Sequence, residues 1–254
     1  MARVNLRSII LGMSAAAPPP YQAIPADEAG VPDDFKIGVT VDQSDPSIRA
    51  LFVRKVYTLL FVQLLGTTIV AGAMSSLGAA AWIYQHAWTM WLPLVGSLVS
   101  IGLVYWKAHE HPLNLVFLGV FTLFEAVSLG MVVCLLDQVA VLKALIITTF
   151  VFLGLTLYTL QSRRSFEWLG SWLYGSLLVL VGAGLVHLFI PSRTLDLAYS
   201  VGGCVVFSGY IVYDTWLILR RLSPDDWVLA NVSLYLDVVN MFISILRFMN
   251  SDDD

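Results

Sequence analysis

The chain has 254 residues, of which 58% are hydrophobic and 13% charged, and its mean hydropathy is +0.78. A soluble domain is about half apolar and about a quarter charged, so this is the composition of a polytopic membrane protein. The net charge of −4 comes from acids near the two ends, no basic patch supports nucleic-acid binding, and two cysteines in apolar runs give neither a disulfide framework nor a zinc spacing.

Residues 1–48 read as a disordered cytosolic tail, rich in Ala, Pro and Asp and without helical periodicity. Arg3 and Arg7 precede the first acid, Asp27, a pattern shared by mitochondrial transit peptides and many ordinary tails. Pro18, Pro19, Pro20 and Tyr21 spell the PPxY pattern that WW domains read through a polyproline helix, which makes a WW-domain protein a candidate partner. A membrane domain is expected over residues 49–250, followed by an acidic end at 251–254.

Seven apolar spans of about 20 residues follow, each long enough to cross a bilayer core of ~30 Å. They cover Val56–Met74, Trp88–Trp106, Leu113–Leu136, Val141–Leu160, Trp168–Ile190, Leu197–Leu219 and Trp227–Met249. Trp88, Trp106, Trp168 and Trp227 mark span ends, where indole favours the headgroup region. The segment before span one and the loops after spans two, four and six hold eight bases: Arg49, Arg54, Lys55, Lys107, Arg163, Arg164, Arg220 and Arg221. The other side holds only Lys143, Arg193 and Arg247, which places the N-terminus in the cytosol. No internal repeat supports an inverted-repeat transporter.

The last span carries an unusual stripe. Ser233, Asp237, Asn240, Ser244 and Arg247 recur at spacings of four, three, four and three, which sets all five on one side of a helix. A charged carboxylate facing lipid is costly, so Asp237 is expected to face protein or a water-filled cavity. The span then reads as an inner helix. Its stripe is either an ion path or a structural polar seam between helices.

Two further acids lie inside spans, Glu125 in the third and Asp214 in the sixth. Asp214 is six residues before Arg220 and Asp237 is ten residues past Trp227, about 9 Å and 15 Å from the same membrane face. At those depths the two carboxylates can meet across a helix contact. Adjacent carboxylates in a dry site share a proton and titrate as a unit. Protonated, the pair forms a neutral clasp; deprotonated, it repels itself and offers oxygen ligands suited to Ca²⁺. The opposing reading is that each aspartate is satisfied separately, with Tyr210, Tyr213 and Tyr235 at hand. Glu125, with Ser233, Asn240 and Ser244, is a candidate to line the same pathway, though a hydrogen bond to a neighbouring helix accounts for Glu125 equally well. Asn231 opens a glycosylation sequon near the cytosolic face, where it should be silent.

Other classes with seven spans are excluded by what is missing. The only lysines are Lys36, Lys55, Lys107 and Lys143, so no Schiff-base lysine lies in the last span for retinal. No NPxxY occurs, no GxSxG supplies a serine nucleophile, and His187 is the sole intramembrane histidine. An enzyme is therefore not expected, and neither is a resident cofactor.

Four stretches carry a resemblance: IRALFVRKVYTLLFVQLLGTT, NLVFLGVFTLFEAVSLG, YSVGGCVVFSGYIVYDTWLIL and LYLDVVNMFISILRFMN. Over residues 48–250 the chain resembles the transmembrane Bax inhibitor motif family, the Bax inhibitor-1 and lifeguard proteins. The resemblance implies an all-α polytopic membrane protein whose seventh transmembrane helix is central and wrapped by the other six. It implies a pH-sensitive Ca²⁺ leak from internal stores, with Asp214 and Asp237 at the positions of the sensing pair, holding Ca²⁺ transiently as permeant ion. In a bacterial relative an arginine latches those aspartates; Lys107 is the nearest matching base here and lacks arginine's bidentate fork. The resemblance further implies suppression of apoptosis, a link to the unfolded-protein response, cell-death regulators as partners, and residence in endoplasmic reticulum or Golgi, with vacuole or mitochondrion as lesser options. The alternative function is a non-conducting scaffold that regulates cell death through protein partners.

Overall fold

A computed structural model describes residues 40–251. Among these residues the regular structure is helical: α1 (Pro46–Ser76), α2 (Ala79–Gln85), α3 (Trp91–Trp106), α4 (Leu113–Val133), α5 (Gln138–Gln161), α6 (Glu167–Phe189), α7 (Arg193–Arg220) and α8 (Trp227–Ser251), with short 3₁₀ turns at Val41–Gln43 and Ala87–Met90. Seven of the helical segments are long and apolar enough to cross a membrane, the second combining the 87–90 turn with α3. All seven expected spans are present, most extended by a few residues.

The largest shift is at the start. Helix α1 begins at Pro46, ten residues before the apolar run. Proline suits the first turn of a helix, where its missing N–H would have no partner. The helix therefore runs past the apolar stretch, and apolarity alone does not mark its first turns. Ahead of it, Val41 is fully buried and its N–H donates to the Leu222 carbonyl at 2.8 Å. The helical bundle thus includes contacts from before residue 49, where the membrane domain was expected to begin. The rest of the expected tail, with Pro18, Pro19, Pro20 and Tyr21, lies outside the described residues, as do the three terminal aspartates.

Short-range chemistry sets the other boundaries. Gly78 ends the first hairpin arm with φ +69°, a left-handed conformation that costs glycine little. It leads into α2, which is too short to register as a span, and there His86 stacks on Trp82 with ring centroids 4.7 Å apart. Asp137 caps α5, its carboxylate accepting from Ala140 N–H at 2.9 Å.

Helix α8 is the core. About 72% of its apolar stretch is buried, against 11% to 39% in the other six spans. Leu234, Tyr235, Met241 and Leu246 are essentially sealed. Helices α1, α4, α5 and α7 pack directly on it, while α3 leans mainly on α4 and α6 on α7. The outer faces of these helices carry exposed Leu, Val, Phe and Trp, as expected of surfaces that meet lipid.

Two small residues let helices close in. A side chain at Gly203 on α7 would collide with Ser244 on α8, and one at Gly170 on α6 would meet the Tyr213 hydroxyl at 2.6 Å. Close backbone approach of this kind replaces the hydrophobic drive that lipid removes.

Ion pairs gather at the two ends of the bundle. At the near end, where α1 begins and α7 runs into α8, Asp42 meets Arg49 and Arg220 at 3.4 Å each, Arg221 pairs with Glu167, and His109 meets Asp226 at 3.0 Å. Lys55 lies 3.4 Å over the Trp227 ring. At the far end Asp196 stands 3.5 Å from Arg247 and 3.8 Å from His187.

Candidate functional site

The antiparallel pairing of α7 and α8 brings Asp214 and Asp237 together. Each lies a few turns in from the loop that joins the two helices, so both arrive at one level from opposite directions. Asp237 is 6% exposed and its Oδ2 has no hydrogen-bond partner among the described residues. Asp214, half-buried, is within hydrogen-bonding reach of Asp237 and of the Ser233 hydroxyl.

Around the pair is a cavity of about 320 Å³, with Tyr105, Tyr210, Asp214, Ser233, Asp237 and Asn240 among its walls. Helix α6 supplies an apolar wall through Leu177, Leu180 and Val181. The space is polar on one side and large enough for several waters. Tyr105 is 54% exposed and forms the rim, its hydroxyl reaching Ser233.

Of the expected pathway residues, Ser233 and Asn240 face this cavity with the aspartates. Asn240 also donates to the Leu236 carbonyl at 2.8 Å. Ser244 is on the same stripe but turns away from the cavity. Its hydroxyl donates to the Asn240 carbonyl at 2.8 Å, and it fills the contact with Gly203. Arg247 ends the stripe against Asp196 and stacks over Tyr199 at 5.1 Å.

Lys107 does not reach the pair. Its ammonium contacts both Glu110 oxygens at 2.7 and 2.8 Å and sits 4.7 Å from the Trp106 ring centroid. Lys107 follows the last residue of α3, where a flexible stem reaches a carboxylate in the adjoining loop without leaving water. The expected latch is replaced by a local ion pair.

Glu125 is also apart from the aspartates. It stands beside the Ser97 hydroxyl on α3 and near Tyr235, whose ring points to the face of α8 away from the cavity. Tyr213 packs instead against Trp216 and Gly170, so only Tyr210 of the three expected tyrosines lines the cavity. Tyr105 was not anticipated as a cavity residue. Its position two residues before Lys107, close to the same membrane face as Asp214, was the available signal. Asn231 is fully buried and donates to the Val56 carbonyl at 3.2 Å, so its sequon presents no free amide.

Among the described residues no group of three or more His, Cys, Asp or Glu side chains is placed to hold a metal ion. What the cavity offers a cation is two carboxylates, a serine, an asparagine and tyrosine hydroxyls. All are oxygen donors suited to Ca²⁺, without the ligand number of a storage site.

Comparison with known proteins finds relatives over nearly the whole of this bundle. The family described as inhibitor of apoptosis-promoting Bax1 matches residues 49–254. The chain is 39% identical to protein lifeguard 4 of Mus musculus, over 88% of this chain and 94% of that protein. It is 38% identical to the Golgi anti-apoptotic protein of Vaccinia virus (strain Lister), over 87% and 94%. It is 37% identical to Bax inhibitor 1 of Schizosaccharomyces pombe, over 92% and 90%.

Proposed function

The chain belongs to the transmembrane Bax inhibitor motif family, and on that premise we propose that it is a pH-sensitive Ca²⁺ leak channel of an internal membrane that suppresses apoptosis. The observation that carries the proposal is the meeting of Asp214 and Asp237 on the polar side of a cavity, with one buried carboxylate oxygen left without a partner. A carboxylate pair inside a membrane span is costly and marks an ion or proton path.

In this reading one proton shared between the carboxylates joins α7 to α8. Its loss sets two negative charges against each other, loosens the helix contact and leaves oxygens that a passing Ca²⁺ can use. Acid closes the pathway and alkali opens it. Ser233 and Asn240 line the route and Tyr105 stands at its rim. Lowering the Ca²⁺ held in a store reduces what is released during a death signal, which links the leak to the anti-apoptotic names of the matched family and the viral relative. The Golgi is the favoured membrane on the name of the viral relative, with the endoplasmic reticulum next, and the excess of basic residues in the loops on one side supports a cytosolic N-terminus.

The test is Ca²⁺ flux through purified protein in liposomes across pH, for wild type and Asp237→Asn. Flux that falls on acidification in wild type and loses its pH response in a folded variant supports the gate. A folded wild type that passes no Ca²⁺ at any pH removes it. A second reading, a non-conducting scaffold acting through cell-death regulators, is favoured by the names of the matched family and of the viral relative, which speak of apoptosis and of no ion.

A further inference from the structure

On the face of α8 turned away from the aspartates lies a second buried polar group. Gln63 and Thr67 are one turn apart on α1, Thr122 and Glu125 lie three apart on α4, and Tyr235 reaches in from α8. Gln63, Thr67 and Tyr235 are 6%, 3% and 0% exposed, while Thr122 and Glu125 are half-buried.

The hydrogen bonds here fix which atoms are donors. Thr122 Oγ1 donates to the Leu118 carbonyl at 2.8 Å, so it can only accept from Gln63 Nε2 at 2.6 Å. That sets the amide orientation and leaves Gln63 Oε1, which is buried and has no partner. Thr67 Oγ1 donates to the Gln63 carbonyl at 2.9 Å, so at 2.8 Å it accepts the Tyr235 O–H. The phenolic oxygen then keeps only lone pairs. The Ser97 hydroxyl has one proton for two neighbours, Glu125 and the Leu94 carbonyl at 3.0 Å.

The one buried atom left without a partner is Gln63 Oε1; beside it the Tyr235 oxygen keeps lone pairs, and the Glu125 carboxylate, when ionised, adds two more acceptor oxygens. Such a set is satisfied by a cation. One carboxylate among neutral oxygens carries a single negative charge. A monovalent ion neutralises it, whereas a divalent ion leaves a net charge in an apolar setting. Hard alkali-metal ions take oxygen ligands of this kind.

We infer that Glu125, Gln63 Oε1 and Tyr235 Oη form an alkali-metal cation site between α1, α4 and α8, separate from the aspartate cavity and independent of the leak reading. An ion there ties α1 and α4 to the central helix.

The test is thermal melting of the purified full chain in NaCl, KCl or choline chloride at equal ionic strength and fixed pH. At ten times its dissociation constant an alkali cation is expected to raise the melting temperature of wild type by about 4 °C. The rise should persist in the Asp214→Asn, Asp237→Asn double variant and vanish in Glu125→Gln. Gln63→Met, which keeps the side-chain length, should also remove it and serves if Glu125→Gln does not fold. Equal melting in sodium, potassium and choline overturns the site. So does a shift kept in Glu125→Gln but lost in the double aspartate variant. A melt that follows pH and no alkali ion overturns it too, leaving Glu125 to hold a proton.

Discussion

Gly203 on α7 and Ser244 on α8 meet so closely that even a methyl group at residue 203 would strike the serine oxygen. The contact lies about two turns beyond Asp237, on the seam that positions both aspartates. Gly203→Val is expected to cost about 1–3 kcal/mol through overpacking. For a domain of this size that is a fall in melting temperature of about 3–10 °C. Adding Ser244→Gly should recover most of the loss. A single variant that melts with wild type would show that the two helices are free to spread.

Asp237→Asn removes one carboxylate while keeping the shape of the side chain. Proteoliposome flux in this variant should no longer change with pH, whereas wild-type flux should fall as the medium is acidified. The sign follows from the pair: acid adds the proton that joins α7 to α8, and alkali removes it. Wild-type flux that rises on acidification would contradict the clasp.

Lys107→Ala should leave the pH response of flux as it is, because the ammonium is held by Glu110 outside the cavity. Its effect on stability should stay within about 0.5 kcal/mol, since an exposed pair of this kind contributes little. A loss of pH response in Lys107→Ala, read in the same flux assay, would return the lysine to the role of latch.

Thr67→Val takes away the acceptor of the buried Tyr235 hydroxyl. An unpaired buried O–H costs about 1–3 kcal/mol, and a melting curve should show it. Tyr235→Phe combined with Thr67→Val should melt higher than Thr67→Val alone, because the orphaned hydroxyl is then gone.

The central helix was legible because its polar residues recur with helical period inside an otherwise apolar run, a pattern that survives any packing arrangement. The depths of Asp214 and Asp237 followed from counting residues inward from Arg220 and Trp227. What periodicity does not carry is the direction in which a flexible side chain leaves the helix. Lys107 was near enough to the aspartates in sequence terms, yet a loop carboxylate three residues on claims it. Glu125 sits at mid-span like a pathway residue, but the rotation of α4 turns it toward α3 and Tyr235. Tyr105 enters the cavity only through the tertiary placement of α3. The first turns of α1 escaped because helical residues outside the apolar band look like loop, and α2 escaped because seven residues are too few to register as a span.

The backbone bond from Val41 to Leu222 fixes where the chain joins the bundle. Leu222 belongs to the short turn between α7 and α8, the helices that bear Asp214 and Asp237. Asp42 adds a salt bridge to Arg220 on the last residue of α7. A tug on the polypeptide at Thr40 is therefore delivered to the pivot of the aspartate hairpin and, through Arg49, to the first turn of α1.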